Sequence, residues 1–251
     1  MINLYKGDCL EVMQQILNGS VDAIITDPPY GTTTCKWDSV IDFNLMWKQL
    51  NRIIKPNGAI VLFGSEPFSS ALRMSNIKNY KYDWIWDKGR GSNFATVKYQ
   101  PFKEHEIISV FNKHNYYPIK ILRTEKSLKR YNDVASWESK GEHTTTGIKR
   151  AKNNLTKLRN PKSIIKFNIG EEKRDGKNNH PTKKPVALME YLIKTYTKEN
   201  ETVLDFTMGS GTTGVAAKNL NRKFIGIEQD DNYFNIATDR INKVEPQTEL
   251  F

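Results

Sequence analysis

The chain has 251 residues and a mass of 29.0 kDa, enough for one large α/β domain or one carrying a sizeable insertion. Two cysteines and four histidines at these spacings resemble neither a zinc site nor a disulfide framework. That argues against a resident metal and fits a reducing, cytoplasmic setting. No apolar run approaches a membrane span and the first residues lack the pattern of a signal peptide, whereas a formal net charge of +10 points to a polyanionic partner.

Met1 to Lys6 reads as a short alternating strand closed by Gly7, Asp8 and Cys9. Leu10, Val12, Met13, Ile16 and Leu17 then carry helical spacing up to Asn18-Gly19, with Asp8 placed either to cap that helix or to sit at the sheet edge. Val21, Ala23, Ile24 and Ile25 predict a buried parallel strand, stopped by Asp27-Pro28-Pro29-Tyr30 because neither proline can donate to a ladder. A carboxylate, a rigid carbonyl and an aromatic ring are thus left at a strand's carboxyl end, where open α/β sheets place ligands. They suit a flat substrate bearing an amino group, although the tetrapeptide alone also fits a surface turn.

Gly31 to Asp38 is expected to be a mobile polar loop containing Lys36 and Trp37. A helix is predicted over 43–54, ended by Lys55-Pro56-Asn57-Gly58, followed by a buried strand over 59–63, a helix over 69–77 and an alternating strand over 82–86. Regular alternation argues a doubly wound, mostly parallel sheet with helices on both faces. One more strand is expected over 106–111.

The segment 112–179 is polar and basic, with Tyr116, Tyr117, Tyr131, Trp137 and Phe167 set among the charges. From Lys88 to Lys184 there are 23 Lys or Arg against 9 Asp or Glu, while the remaining residues carry 15 against 19. The basicity belongs to the middle of the chain, as in an insertion that contacts double-stranded DNA, and a partly disordered linker has a similar composition.

Thr182 is expected to cap a helix over 186–196, and a strand over 201–206 runs into Thr207-Met208-Gly209-Ser210-Gly211-Thr212-Thr213-Gly214. The next helix opens at 215, and a strand over 222–228 and a helix over 232–244 complete the chain. Gly209, Gly211 and Gly214 have the spacing of an adenosyl-ligand loop, and Glu228 ends the next strand where it can accept ribose hydroxyls. A nicotinamide dinucleotide fits that pattern too, and with it an NAD-dependent oxidoreductase. Asp205 discriminates: an anion ahead of the loop opposes pyrophosphate and favours an ammonium or sulfonium, as in S-adenosyl-L-methionine.

Four blocks in this order resemble the amino-group DNA methyltransferases of the β arrangement: Gly7 to Glu11, Asp27-Pro28-Pro29-Tyr30, His180-Pro181-Thr182-Lys183-Lys184-Pro185 and Asp205 to Gly214. Where family members often carry Pro, then Phe or Cys, this chain has Thr207 and Met208. The resemblance covers nearly the whole chain. It implies a circularly permuted Rossmann-like methyltransferase fold, with a catalytic half over 1–111, a target-recognition insertion over 112–179 and a cofactor half over 180–251. It implies methyl transfer from S-adenosyl-L-methionine to N6 of a flipped-out adenine, with Asp27, Pro28, Pro29 and Tyr30 catalytic and no metal. Asp8, Pro181, Thr182, Lys183, Asp205, Phe206, Gly209, Ser210, Gly211, Thr212, Thr213 and Glu228 would surround the cofactor. N4 of cytosine is the alternative, since the family associates Asp at position 27 with adenine and Ser with cytosine. RNA adenine or a protein amide would fit the same chemistry. A bacterial or bacteriophage source follows from the family, and a homodimer and a cognate restriction endonuclease are compatible with it.

Overall fold

The structure, a computed structural model, describes residues 1–32, 38–127, 157–169 and 183–245. The apolar runs form β1 (Ile2–Lys6), β2 (Val21–Thr26), β3 (Ile54–Gly64), β4 (Tyr80–Asp87) and β5 (His105–Phe111), with α1 (Cys9–Val12), α2 (Phe43–Ile53) and α3 (Phe68–Ser75) between the first four. Then come β6 (Ile121–Leu122), β7 (Leu158–Arg159), β8 (Ile164–Lys166), α4 (Val186–Tyr196), β9 (Thr202–Asp205), α5 (Thr212–Asn219), β10 (Lys223–Glu228) and α6 (Asp231–Asn242). Eight strands make one sheet in the order β1-β10-β9-β2-β3-β5-β4-β8. All neighbours in it are parallel except β5, which runs antiparallel to both β3 and β4.

Successive side chains of a strand leave on opposite faces, and both faces here are covered. Ala23 and Ile25 of β2, with Val61 and Phe63 of β3, pack against Leu188, Leu192 and Ile193 of α4. Ile24, Ile60 and Leu62 face the other way, onto Met46, Leu50 and Ile53 of α2 and Leu72 of α3. β2 and β9 lie side by side at the centre, Ala23 opposite Val203 and Ile24 opposite Leu204. This pairing sets the carboxyl ends of the two strands next to each other.

Several elements differ from expectation. The first helix is a single α turn followed by a 3-10 turn over Met13–Gln15, rather than a helix to Leu17. β3 begins at Ile54, because Val21 pairs with Ile54 before the register jumps to Ala23 opposite Ala59; Pro56 and Gly58 occupy the irregular part instead of merely ending α2. The N-cap of α4 is Pro185, with no side-chain cap. Thr182 and Pro181 lie outside the described residues, as do Lys36, Trp37, Tyr131 and Trp137.

The chain divides into a larger unit, Met1–Tyr117 with Ser163–Phe251, and a smaller one, Pro118–Lys162. The ends of the expected 112–179 insertion therefore group with the larger unit. β8 adds a strand to the main sheet, Trp86 Nε1 donates to the Phe167 carbonyl at 2.8 Å, and the Tyr117 N–H donates to the Thr195 carbonyl at 2.8 Å. Phe167 packs on Tyr191 and Tyr116 on Tyr196, so two of the five interleaved aromatics have ring partners in the larger unit. Within the smaller unit β6 and β7 form an antiparallel pair, Ile121 opposite Arg159. No helix among the described residues is long and apolar enough to cross a membrane.

Candidate active site

β2 ends in buried Thr26, and the two prolines turn the chain away from the sheet. Asp27 Oδ1 accepts from the Tyr30 hydroxyl, and Asp27 Oδ2 accepts from Lys184 Nζ. The Tyr30 ring lies 5.0 Å from the Phe68 ring at an interplanar angle of 32°. Burial first, and the Asp27 carboxylate second, push the Tyr30 phenol well above its ordinary range, so it stays a proton donor.

Asp38, which sequence reasoning left as the end of a loop, organises this corner. Its carboxylate accepts the backbone N–H groups of Tyr30, Gly31 and Thr32 at 2.8, 2.9 and 2.9 Å. The available signal was an acidic side chain at short range after a proline-stiffened turn, a common way to satisfy turn N–H groups. Lys184 was also missed as a partner of Asp27. It is buried, and its Nζ lies 3.3 Å from Glu106 Oε2.

At the end of β9, Asp205 is buried and tied down more firmly than a free anion would be. It accepts from Thr26 Oγ1 and Thr213 Oγ1, both at 2.5 Å, and from the Thr207 N–H at 3.2 Å. Burial nevertheless raises its carboxyl to about 6, those hydrogen bonds opposing the shift. Thr207 Oγ1 reaches the Asp27 carbonyl at 3.2 Å, a second link between the two strand ends. Glu228 accepts the N–H groups of Gly209 and Asp230, each at 2.9 Å, and burial raises its carboxyl as well. Asp8 caps α1 through the N–H groups of Leu10 and Glu11 and also borders the cleft, so both of its expected roles coexist.

One cleft of about 320 Å³ is lined by Asp27, Pro28, Pro29 and Tyr30 together with Asp8, Lys183, Asp205, Phe206, Gly209, Ser210, Thr212, Thr213 and Glu228. Gly211 does not line it. Its backbone turns left-handed (φ +78°) to cap α5, and a Cβ there would meet Ala237 Cβ at 2.9 Å, so its part is to let α5 and α6 approach. The cleft brings six carboxylates, including Asp38 and Glu106, against the two lysines Lys183 and Lys184. A pyrophosphate would be repelled there, while a ligand with an ammonium or sulfonium and free hydroxyls fits, with Phe206 and Ile227 as apolar wall. The Cys9 thiol is pushed up to about 12 by burial and by Asp8, which keeps it neutral at the wall.

Residues 21–239 match the N6/N4 methyltransferase family model, described as DNA methylase. The chain is 31% identical to the type II methyltransferase M2.LlaDCHI of Lactococcus lactis subsp. cremoris, over 96% of this chain and 89% of that protein. It is 29% identical to the type II methyltransferase M.HinfI of Haemophilus influenzae, over 97% of this chain and 69% of that one. The crystal structure of the M1.HpyAVI–SAM complex superposes with a TM-score of 0.60 at 28% identity, covering 96% of this chain and all of that one. These findings set aside the oxidoreductase alternative. The chain belongs to the N6/N4 DNA methylases and is a site-specific DNA methyltransferase with S-adenosyl-L-methionine as its cofactor.

Proposed function

We propose that the chain methylates the exocyclic N6 of an adenine turned out of duplex DNA. The observation that carries this reading is the shared cleft: Asp27 and Tyr30 from the end of β2 line the same space as Gly209 and Ser210 from the end of β9. The bound cofactor supplies a sulfonium methyl as electrophile. Asp8, Lys183, Asp205, Phe206, Gly209, Ser210, Thr212, Thr213 and Glu228 are the residues proposed to hold it, with Pro181 and Thr182 from the block before α4. Among them Asp205 suits an ammonium and Glu228 a ribose.

A base in a duplex is out of reach, so the target leaves the stack, and a stacking surface on Tyr30 offsets part of the few kcal/mol this costs. The N6 lone pair of adenine is delocalised into the ring. Donation of its two N–H groups to the Asp27 carboxylate and the Pro28 carbonyl would localise that pair on nitrogen and stabilise the charge that builds up there. The proton released after transfer leaves through Asp27 or to water. Because Asp27 accepts from Tyr30 and Lys184 in this structure, the amine enters in competition with them.

Asp at position 27 favours adenine over cytosine by the family resemblance, while the matched family covers N4 as well. Incubating unmethylated duplex DNA with the enzyme and S-adenosyl-L-methionine, then digesting to nucleosides, separates the two by mass and chromatography. N6-methyldeoxyadenosine is expected. N4-methyldeoxycytidine as the sole product would replace adenine with cytosine. DNA contact by the basic segment 88–184 completes the proposal.

A further inference from the structure

Lys184 sits just ahead of α4 with only 8% of its surface exposed. Its ammonium touches Asp27, lies 3.3 Å from Glu106 Oε2 and stands 5.2 Å from the centre of the Phe63 ring. Glu106 Oε1 is in turn 3.5 Å from the Nζ of Lys88, a second buried lysine, which also donates to Ser92 Oγ at 3.1 Å. Asp27, Lys184, Glu106 and Lys88 therefore form a row of alternating charge, the first three of them lining the cleft. Withdrawing such ions from water costs several kcal/mol each, and apolar packing of similar volume is often at least as stable, so stability alone does not account for the row.

The chemistry at Asp27 supplies a reason. The target amine needs the carboxylate oxygens, and an ammonium fixed on Asp27 would oppose the positive charge that develops on that amine. A lysine with a second carboxylate within 3.3 Å can give up the first without being left unpaired.

We infer that Lys184 is a positioning residue for Asp27: it holds the carboxylate in place until the target amine arrives, then passes to Glu106, which keeps the ammonium paired while Asp27 receives the amine. The inference rests on the proposed role of Asp27. The groups facing Lys184 are Asp27 and Tyr30 after β2, Phe63 of β3, Glu106 of β5 and, behind Glu106, Lys88. Burial works against the Lys184 ammonium, but Asp27 and Glu106 outweigh it and the net shift is upward. Lys184 therefore stays charged at neutral pH.

The test is single-turnover methyl transfer from radiolabelled S-adenosyl-L-methionine to long unmethylated duplex DNA at neutral pH over a range of DNA concentrations. Lys184→Met is expected to slow transfer about ten- to a hundredfold while cofactor affinity stays within about threefold. Lys184→Arg recovers part of the rate. Glu106→Gln leaves Lys184 with Asp27 alone, so the DNA concentration for half-saturation rises several-fold. A Lys184→Met enzyme with wild-type rate overturns the inference. If that variant fails to bind cofactor, Glu106→Gln decides, and unchanged half-saturation overturns it. Asp27→Asn is the separate control: full activity there removes the reading of Asp27 itself, whereas a dead Asp27→Asn beside a normal Lys184→Met removes only the role given to Lys184.

Discussion

Thr26 Oγ1 donates to Asp205 Oδ1 at 2.5 Å across 179 positions of sequence. The bond ties the last residue of β2 to the last residue of β9 at the point where the amino-group motif and the glycine loop diverge from the sheet. Together with Thr207 Oγ1 on the Asp27 carbonyl, it fixes the spacing of the two halves of the cleft.

Binding of S-adenosyl-L-methionine should depend on the ionisation of Asp205. Its carboxyl titrates near 6 because burial disfavours the charged form, and a cationic ligand favours that form. Affinity measured by calorimetry is therefore expected to be full above pH 6 and to fall as pH drops through it. Asp205→Asn should bind more weakly and lose that dependence. For folding the sign is opposite: a carboxyl raised above its unfolded value withdraws stability as pH rises from about 4 to about 6.

Asp38→Ala should disorganise the corner that presents Tyr30. Three backbone N–H groups lose their acceptor; those of Gly31 and Thr32 are on exposed residues and can turn to water, so each lost bond costs about 0.5–1.5 kcal/mol and the main effect is on the position of Tyr30. Methyl transfer is expected to fall about tenfold or more, because displacement of a positioned group is costly in rate. Cofactor affinity should hold. Asp38→Asn keeps one acceptor oxygen and should lie between, and a wild-type rate in Asp38→Ala would remove its role.

The strands were legible because Val21 to Ile25, Ala59 to Phe63 and Val203 to Leu204 are apolar runs bounded by breakers, and the glycine spacing marked the loop after β9. What escaped was set by pairings across the chain. Nothing local near Lys184 signals that its ammonium lies against Asp27, 157 positions away. Ile164 to Lys166 is three residues long and becomes a strand only because β4 offers it an edge. Leu10 to Leu17 kept helical spacing but tightened into a 3-10 turn, with Ile16 in extended backbone as its C-cap. The spacing that marked Gly211 also could not show that its close approach to Ala237 requires glycine there.

Gly211→Ala and Gly19→Ala separate backbone strain from crowding. Both positions have positive φ, but a Cβ at Gly19 meets nothing within 4 Å whereas one at Gly211 meets Ala237. Gly19→Ala should carry only the strain, about 1–3 kcal/mol, and Gly211→Ala more. Each kcal/mol lowers Tm by roughly 2–4 °C in a chain of this size, which thermal melting reads directly.

Neutralising Lys120, Lys126, Lys157 and Arg159 to Gln should weaken binding to duplex DNA. For every phosphate left without its neutralising side chain, the slope of log affinity against log salt should shrink by about 0.9. The measurement is a salt titration by fluorescence anisotropy. Unchanged slope would take these residues out of the DNA interface.

The most direct measurement compares wild type with Asp27→Ala, in cofactor affinity by calorimetry and in methyl incorporation into duplex DNA. Binding of S-adenosyl-L-methionine is expected to stay unchanged while transfer falls by roughly 100-fold or more, the scale seen when one preorganised polar group is removed from a reacting centre. Asp27→Ala turning over at the wild-type rate would contradict the role of the carboxylate at the amine.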